Sequence, residues 1–177
     1  MEFPVFKTQH VSLLRIGSDD IDHIYRGLSD PSVIQYYGVS YLSREATEEQ
    51  MEWFAGLEDS GTGLWWKVCS VDGAVFFGCL GFSSLSQEHR KAEIGFWLLP
   101  EYWGRGILAE AVPLIVGYAF QFLRVHRIEA LIESENLNSK RAVEKLGFVF
   151  EGRMRDCEFK GGRFISLDIY SVINESL

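Results

Sequence analysis

Residues 101 to 111 read EYWGRGILAEA, so that Gly104 and Gly106 flank Arg105 between a run ending in LLP and a long apolar stretch. A strand ending at Leu99 and a helix opening at 104 to 106 would leave several N–H groups unpaired at the positive end of a helix dipole. Such a place suits an anion, most often a phosphate. Glycine at both positions keeps Cβ atoms away from that ligand, and Arg105 adds charge-assisted contacts. The same letters also fit a plain strand-to-helix turn with a solvated arginine. A second candidate lies just upstream, in AEIGFWLL (92 to 99). Strand alternation there puts Glu93, Gly95, Trp97 and Leu99 on one face, and Ala92, Ile94, Phe96 and Leu98 on the other. Glu93 is the one charge in this stretch. Burial would lift its pKa toward that of a base working near neutral pH, with Gly95 leaving space for a substrate. At a strand end Glu93 would instead face solvent or pair with Arg90 or Lys91. A third group is Asn136, Asn138 and Ser139, any of which can cap a short helix.

These residues need elements to hold them. VSLLRI (11 to 16) reads as a strand and SDDIDHIYRGLSDP as a helix, with Ser18 or Asp19 as N-cap and Pro31 past its end. TEEQ (47 to 50) has the spacing of a capping box, after which Met51, Phe54 and Leu57 share a helical face. LWWKVCSV, Asp72-Gly73 and AVFFGCLGFSSL read as a hairpin with a type I′ turn. AEIGFWLL extends this antiparallel meander. A helix from Gly104 to Leu123, the strand HRIEALIE, the helix NSKRAVEKLG and two strands joined by Lys160-Gly161-Gly162 complete the chain. Gly147 fits a left-handed helix end with Phe148 as its hydrophobic contact. The order β-αα-βββ-α-β-α-ββ, without repeats or linkers, predicts one α+β or α/β domain over residues 1 to 177, with a mixed sheet.

Composition narrows the function. At 177 residues, 47% hydrophobic and 14% aromatic, the chain can build a sizeable core. A net charge of −8 disfavours nucleic acid and welcomes a cationic partner. Cys69, Cys79 and Cys157 form no C-x-x-C pair and the four histidines have no ligand spacing, so neither a disulfide framework nor a metal site is expected. A reducing cytoplasm fits this pattern. The start MEFPVFKTQH lacks the features of a secretory signal, and the apolar run from Ile107 to Leu123 carries Glu110, Pro113 and Gln121, which suits a buried helix better than a membrane span. No P-loop string occurs. Gly104-Arg105-Gly106-Ile107-Leu108-Ala109 does match the dinucleotide pattern G-x-G-x-x-[GA], but the meander before it and the short remainder after it leave no room for repeated βαβ units.

AEIGFWLLPEYWGRGILAEA, followed by NLNSKRAVEKLGFVFEGRMRD, resembles the GNAT superfamily of acyl-CoA-dependent N-acetyltransferases, and within it the Rim-type branch that acetylates ribosomal-protein N-termini. LLRI, LSDPSVIQYYG and LDIYSVI extend the resemblance over nearly the whole chain. It implies a mostly antiparallel seven-stranded sheet with about four helices. It also implies acetyl-CoA as co-substrate, its pyrophosphate on the backbone of Trp103, Gly104, Arg105, Gly106, Ile107, Leu108 and Ala109. The pantetheine would run between splayed strands ending at Leu99 and near Glu133. Leu108 departs from the usual small residue, at a contact expected through backbone N–H.

Acetyl transfer to an amine needs a base, an oxyanion donor and a proton for the departing thiolate. The resemblance assigns the base to Glu93, directly or through water. It assigns thiolate protonation to Ser139 and a pantetheine contact to Asn136. An unpaired N–H around Trp97 or Leu98 would serve the oxyanion. In similar folds the first two helices border the acceptor, so Tyr36, Tyr37 and Tyr41 either line that cleft or cover the core. Residues 44 to 60 carry one base, Arg44, against Glu45, Glu48, Glu49, Glu52, Glu58 and Asp59. That acidity is either a solvated face or an attraction for basic protein tails, polyamines or aminoglycosides. The expected acceptor is a protein N-terminal amine, with a small cationic amine or a non-catalytic acyl-CoA sensor as alternatives, in a monomer or homodimer.

Overall fold

A computed structural model of the protein describes residues 2 to 175. Its strands are β1 (Phe6–Lys7), β2 (Val11–Arg15), β3 (Leu64–Ser70), β4 (Phe76–Ser86), β5 (Lys91–Leu98), β6 (Arg127–Glu133), β7 (Val149–Lys160) and β8 (Arg163–Ile173). The helices are α1 (Ile21–Leu28), α2 (Pro31–Ile34), α3 (Glu48–Ser60), α4 (Ile107–Gln121) and α5 (Leu137–Lys145). The strands form one sheet in the order β1-β2-β3-β4-β5-β6-β8-β7, antiparallel throughout except where β5 meets β6.

The expected order of elements is present, with local corrections. An eighth strand, β1, pairs Phe6 with Leu13 and Lys7 with Ser12. Pro31 opens a second short helix instead of following the first. Its fixed φ suits a first helical position, and Asp30 caps it by accepting from the Ser32 N–H at 2.8 Å. No capping box forms at α3: the Thr47 hydroxyl donates to the Ser43 carbonyl at 2.9 Å, and the Gln50 side chain accepts from the Tyr41 hydroxyl. The hairpin turn is not type I′, since only Gly73 of the Asp72-Gly73 pair has positive φ. Asp72 instead accepts from the Ala74 N–H and the Ser70 hydroxyl. Gly147, at φ +88, ends α5 as expected, and the Phe148 N–H bonds to the Val143 carbonyl beneath a buried Phe148 ring.

Two hydrophobic layers cover the sheet. One face holds Val11, Leu13, Trp66, Leu80, Ile94 and Ile128 against the Ala111, Val112, Ile115 and Ala119 stripe of α4. The other holds Trp65, Cys69, Cys79, Trp97 and Leu99 against Ile24, Leu28, Val33 and Phe54 from the first three helices. The second layer seats the Trp97 indole on Gly27 of α1, where a Cβ would lie 2.0 Å from a ring carbon. Helix propensity favours alanine over glycine by about 1 kcal/mol, but overpacking a core costs about 1 to 3 kcal/mol. Gly27→Ala is therefore expected to destabilise the protein, read as a lower urea midpoint with an unchanged slope.

Candidate active site

β5 and β6 run parallel for three residue pairs only, Lys91 with Arg127, Ala92 with Ile128 and Glu93 with Glu129. Beyond Glu93 the strands diverge, β5 staying with β4 and β6 with β8. The facing edges of residues 94 to 98 and 130 to 133 border a wedge-shaped gap lined by main chain. It lies between the two strands expected to splay.

The glycine turn stands at the open end of this gap. Gly104 has φ +70 and Gly106 φ +77, both left-handed conformations that favour glycine, and a Cβ at either would enter open space. The helix begins at Ile107, not at Gly104, because Gly106 in its left-handed state is the N-cap. The first bond into α4 runs from the Glu110 N–H to the Gly106 carbonyl at 3.3 Å, and among the described residues the N–H groups from Gly104 to Ala109 have no partner. The Trp103 N–H does not belong with them, since it donates to the Pro100 carbonyl at 3.2 Å. Arg105 lies over the Tyr102 ring, 5.4 Å from its centroid, while Ile107 and Leu108 pack into the core. Leu108 thus takes its bulk away from the turn. Successive free N–H groups, two backbone positions without side chains and a helix dipole make a cradle that fits a diphosphate.

Along β5 the Leu99 N–H donates to the Phe77 carbonyl at 2.8 Å, and alternation turns the Trp97 N–H toward β4 as well. Leu98 is left facing the gap, and its carbonyl accepts from the Trp103 indole at 2.8 Å. Of the expected Trp97, Leu98 and Leu99 contacts, only Leu98 presents a main-chain donor to the gap.

Glu93 lies where the strands part, half-buried, and among the described residues its carboxylate has no hydrogen bond or ion pair. Neither Arg90 nor Lys91 pairs with it: Arg90 donates to the Arg124 carbonyl and Lys91 pairs with Glu129. Burial raises its pKa, helped by the charges of Glu129 and Glu158, with Lys91 opposing. The space above Gly95 is filled, because a Cβ there would meet the Trp65 indole at 2.7 Å. Gly95 is thus a seat for Trp65 and not an opening for substrate.

Asn136 caps α5 by accepting from the Ser139 N–H at 3.1 Å, and its amide donates to the Ser139 hydroxyl at 2.9 Å. That hydroxyl serves here only as acceptor, so its own proton is free to be given. Tyr37 packs into the second layer within the fields of Cys79, Tyr41 and Glu93, and burial raises its pKa. Tyr41 is tied to Gln50, and the partly buried Tyr36 lies in the field of Arg163. Only Tyr37 of the three is thus brought toward Glu93. Sequence reasoning missed Trp65, Glu129 and Glu158. The alternation of 127, 129, 131 and 133 puts Glu129 on one face of its strand, but only the β5–β6 register sets it beside Glu93.

A family model for the acetyltransferase (GNAT) domain matches residues 10–149. An uncharacterized N-acetyltransferase of Bacillus subtilis (strain 168), YoaA, is 32% identical over 172 residues, covering 97% of each chain. The ribosomal-protein-serine acetyltransferase of Escherichia coli (strain K12) is 23% identical over 134 residues, covering 76% of this chain and 74% of that one. The solved structure of spermidine N-acetyltransferase from Vibrio cholerae, in complex with CoA and spermine, superposes with a TM-score of 0.82 at 20% identity over 94% of this chain and 96% of that one. The chain belongs to the GNAT acetyltransferase family.

Proposed function

We propose that the protein transfers the acetyl group of acetyl-CoA to the N-terminal α-amine of a protein. The observation that carries this reading is Glu93, a carboxylate without a partner at the point where β5 and β6 separate. The coenzyme supplies the activated acetyl group. The free N–H groups of Gly104 to Ala109 hold its diphosphate, and the main-chain edges of β5 and β6 receive its pantetheine arm, with Asn136 beside it. Glu93 takes the proton from the acceptor ammonium, directly or through water. The Leu98 N–H steadies negative charge on the acetyl oxygen.

An α-amine with a pKa near 8 gives up its proton more cheaply than a lysine near 10.4, by roughly 3 kcal/mol. A glutamate whose pKa is lifted is better matched to that amine. The alternative, a small cationic amine, draws on the acidic exposed face of α3 (Glu48, Glu49, Glu52) and on the spermine-bound structure of similar fold. Lack of any disulfide pairing for Cys69, Cys79 and Cys157 accords with work in the cytoplasm, and no helix among the described residues is long and apolar enough to cross a membrane.

Thiol release measured over peptides beginning with Ser, Ala and Met, spermidine and an aminoglycoside tests the assignment. Peptides should lead in kcat/KM; a polyamine or aminoglycoside that outpaced every peptide would move the acceptor to the small-amine class. Ser139, with its free proton, is the donor to the departing thiolate. Ser139→Ala should lower kcat by about tenfold to a hundredfold while leaving coenzyme affinity within a few-fold, by the scale of general-acid contributions.

A further inference from the structure

Lys160, the last residue of β7, reaches across to the helical layer. Its ammonium pairs with the Glu133 carboxylate and donates to the Gln35 main-chain carbonyl at 3.1 Å. Glu133 closes β6, is only 8% exposed, and lies on the same strand face as Glu129, the register partner of Glu93. Glu133 lies four residue steps along the strand from Glu129, a span of about 13 Å. Gln35 directly precedes Tyr36 and Tyr37. One cation therefore spans from the segment that carries Tyr37 to the end of β6, past the point where β5 and β6 have parted.

A buried carboxylate needs a cation or donors to stay charged. On a face that receives amines, it would also be the natural anchor for an acceptor's second ammonium. Here the chain supplies that ammonium itself. We propose that Lys160 determines acceptor specificity by occupying the place of a second substrate cation on Glu133, which bars polyamines from an anchor they would otherwise use. This rests on reading the Glu93 cleft as the acceptor site. It makes single-amine acceptors the favoured class through a repulsive element already inside the site.

Calorimetric titration of the full chain, loaded with coenzyme A so that no turnover occurs, tests the idea with 1,8-diaminooctane and octylamine, which differ by one terminal ammonium. Wild type should bind the two within about threefold of each other. Lys160→Met should bind the diamine at least about tenfold more tightly than the monoamine, and adding Glu133→Gln should abolish that preference. Lys160→Gln, which can still donate to the Gln35 carbonyl, should show the same gain for the diamine as Lys160→Met, and a gain seen in Lys160→Met alone would trace it to the lost tether and overturn the role of the charge. Lys160→Arg should keep the wild-type pattern. Neutral variants that bind octylamine with no gain for the diamine overturn the role of Lys160 while leaving the cleft reading intact. Absence of amine binding by every protein overturns both.

Discussion

Replacing Glu93 by glutamine should lower kcat/KM for the best acceptor by about a hundredfold to a thousandfold at neutral pH, with the coenzyme affinity unchanged, which is the scale of a lost general base. The pH profile carries the sharper signature. A base works only when deprotonated, and burial beside Glu129 and Glu158 lifts the Glu93 pKa. Wild-type turnover should therefore rise with pH through that lifted value, and the variant should lose this limb while keeping the one set by the acceptor amine. Full turnover by Glu93→Gln across neutral pH would remove the residue from the chemistry.

The same shift makes a prediction for stability with a worked sign. A carboxyl whose folded pKa lies above its unfolded value favours folding most when protonated. Its contribution is complete below the unfolded pKa and is lost as pH rises through the folded one. Glutamine has no such loss. Glu93→Gln should thus melt above wild type in mildly alkaline buffer, and the difference should close on acidification. A variant less active and more stable is the expected mark of a site held at some cost to the fold.

Gly106→Val should weaken acetyl-CoA binding by tenfold or more, read by calorimetry, while far-ultraviolet circular dichroism stays near wild type. A left-handed residue with a side chain costs about 1 to 2 kcal/mol, more when β-branched, and relaxing that strain rotates the N–H groups at the start of α4 away from their common focus. Because each tenfold in affinity is about 1.4 kcal/mol, the strain alone is large enough to be seen. At saturating coenzyme, turnover should largely recover, which separates this variant from Glu93→Gln. An unchanged dissociation constant would detach the glycine turn from the diphosphate.

Much of this architecture is written locally. The alternation of AEIGFWLL puts Glu93, Trp97 and Leu99 on one face, and the structure finds Trp97 and Leu99 together in the second layer. The Gly-Arg-Gly corner and the Gly147 stop follow from backbone chemistry that needs no tertiary partner. What could not be read depends on distant neighbours. Gly95 looks like space until Trp65, thirty positions earlier, is placed on it. TEEQ has capping-box spacing, yet Thr47 and Gln50 are claimed by Ser43 and Tyr41. The Trp103 N–H looks free until the turn from Pro100 takes it. Glu129 and Lys160 acquire meaning only from strand register, and the two-residue β1 is too short to carry a periodic signal.

Among the described residues, the three rungs that join β5 to β6 are the only direct ladder between the meander and the terminal strands. Past them, each half presents a backbone edge that pairs with no strand among the described residues. A linear arm carrying amide groups can lie in that slot as an added strand does, bridging both edges at once. Occupancy should then do more than position a reactant. It would tie two plates that share three rungs more firmly into one, so that the donor itself adds to the stiffness of the surface on which the acceptor is received.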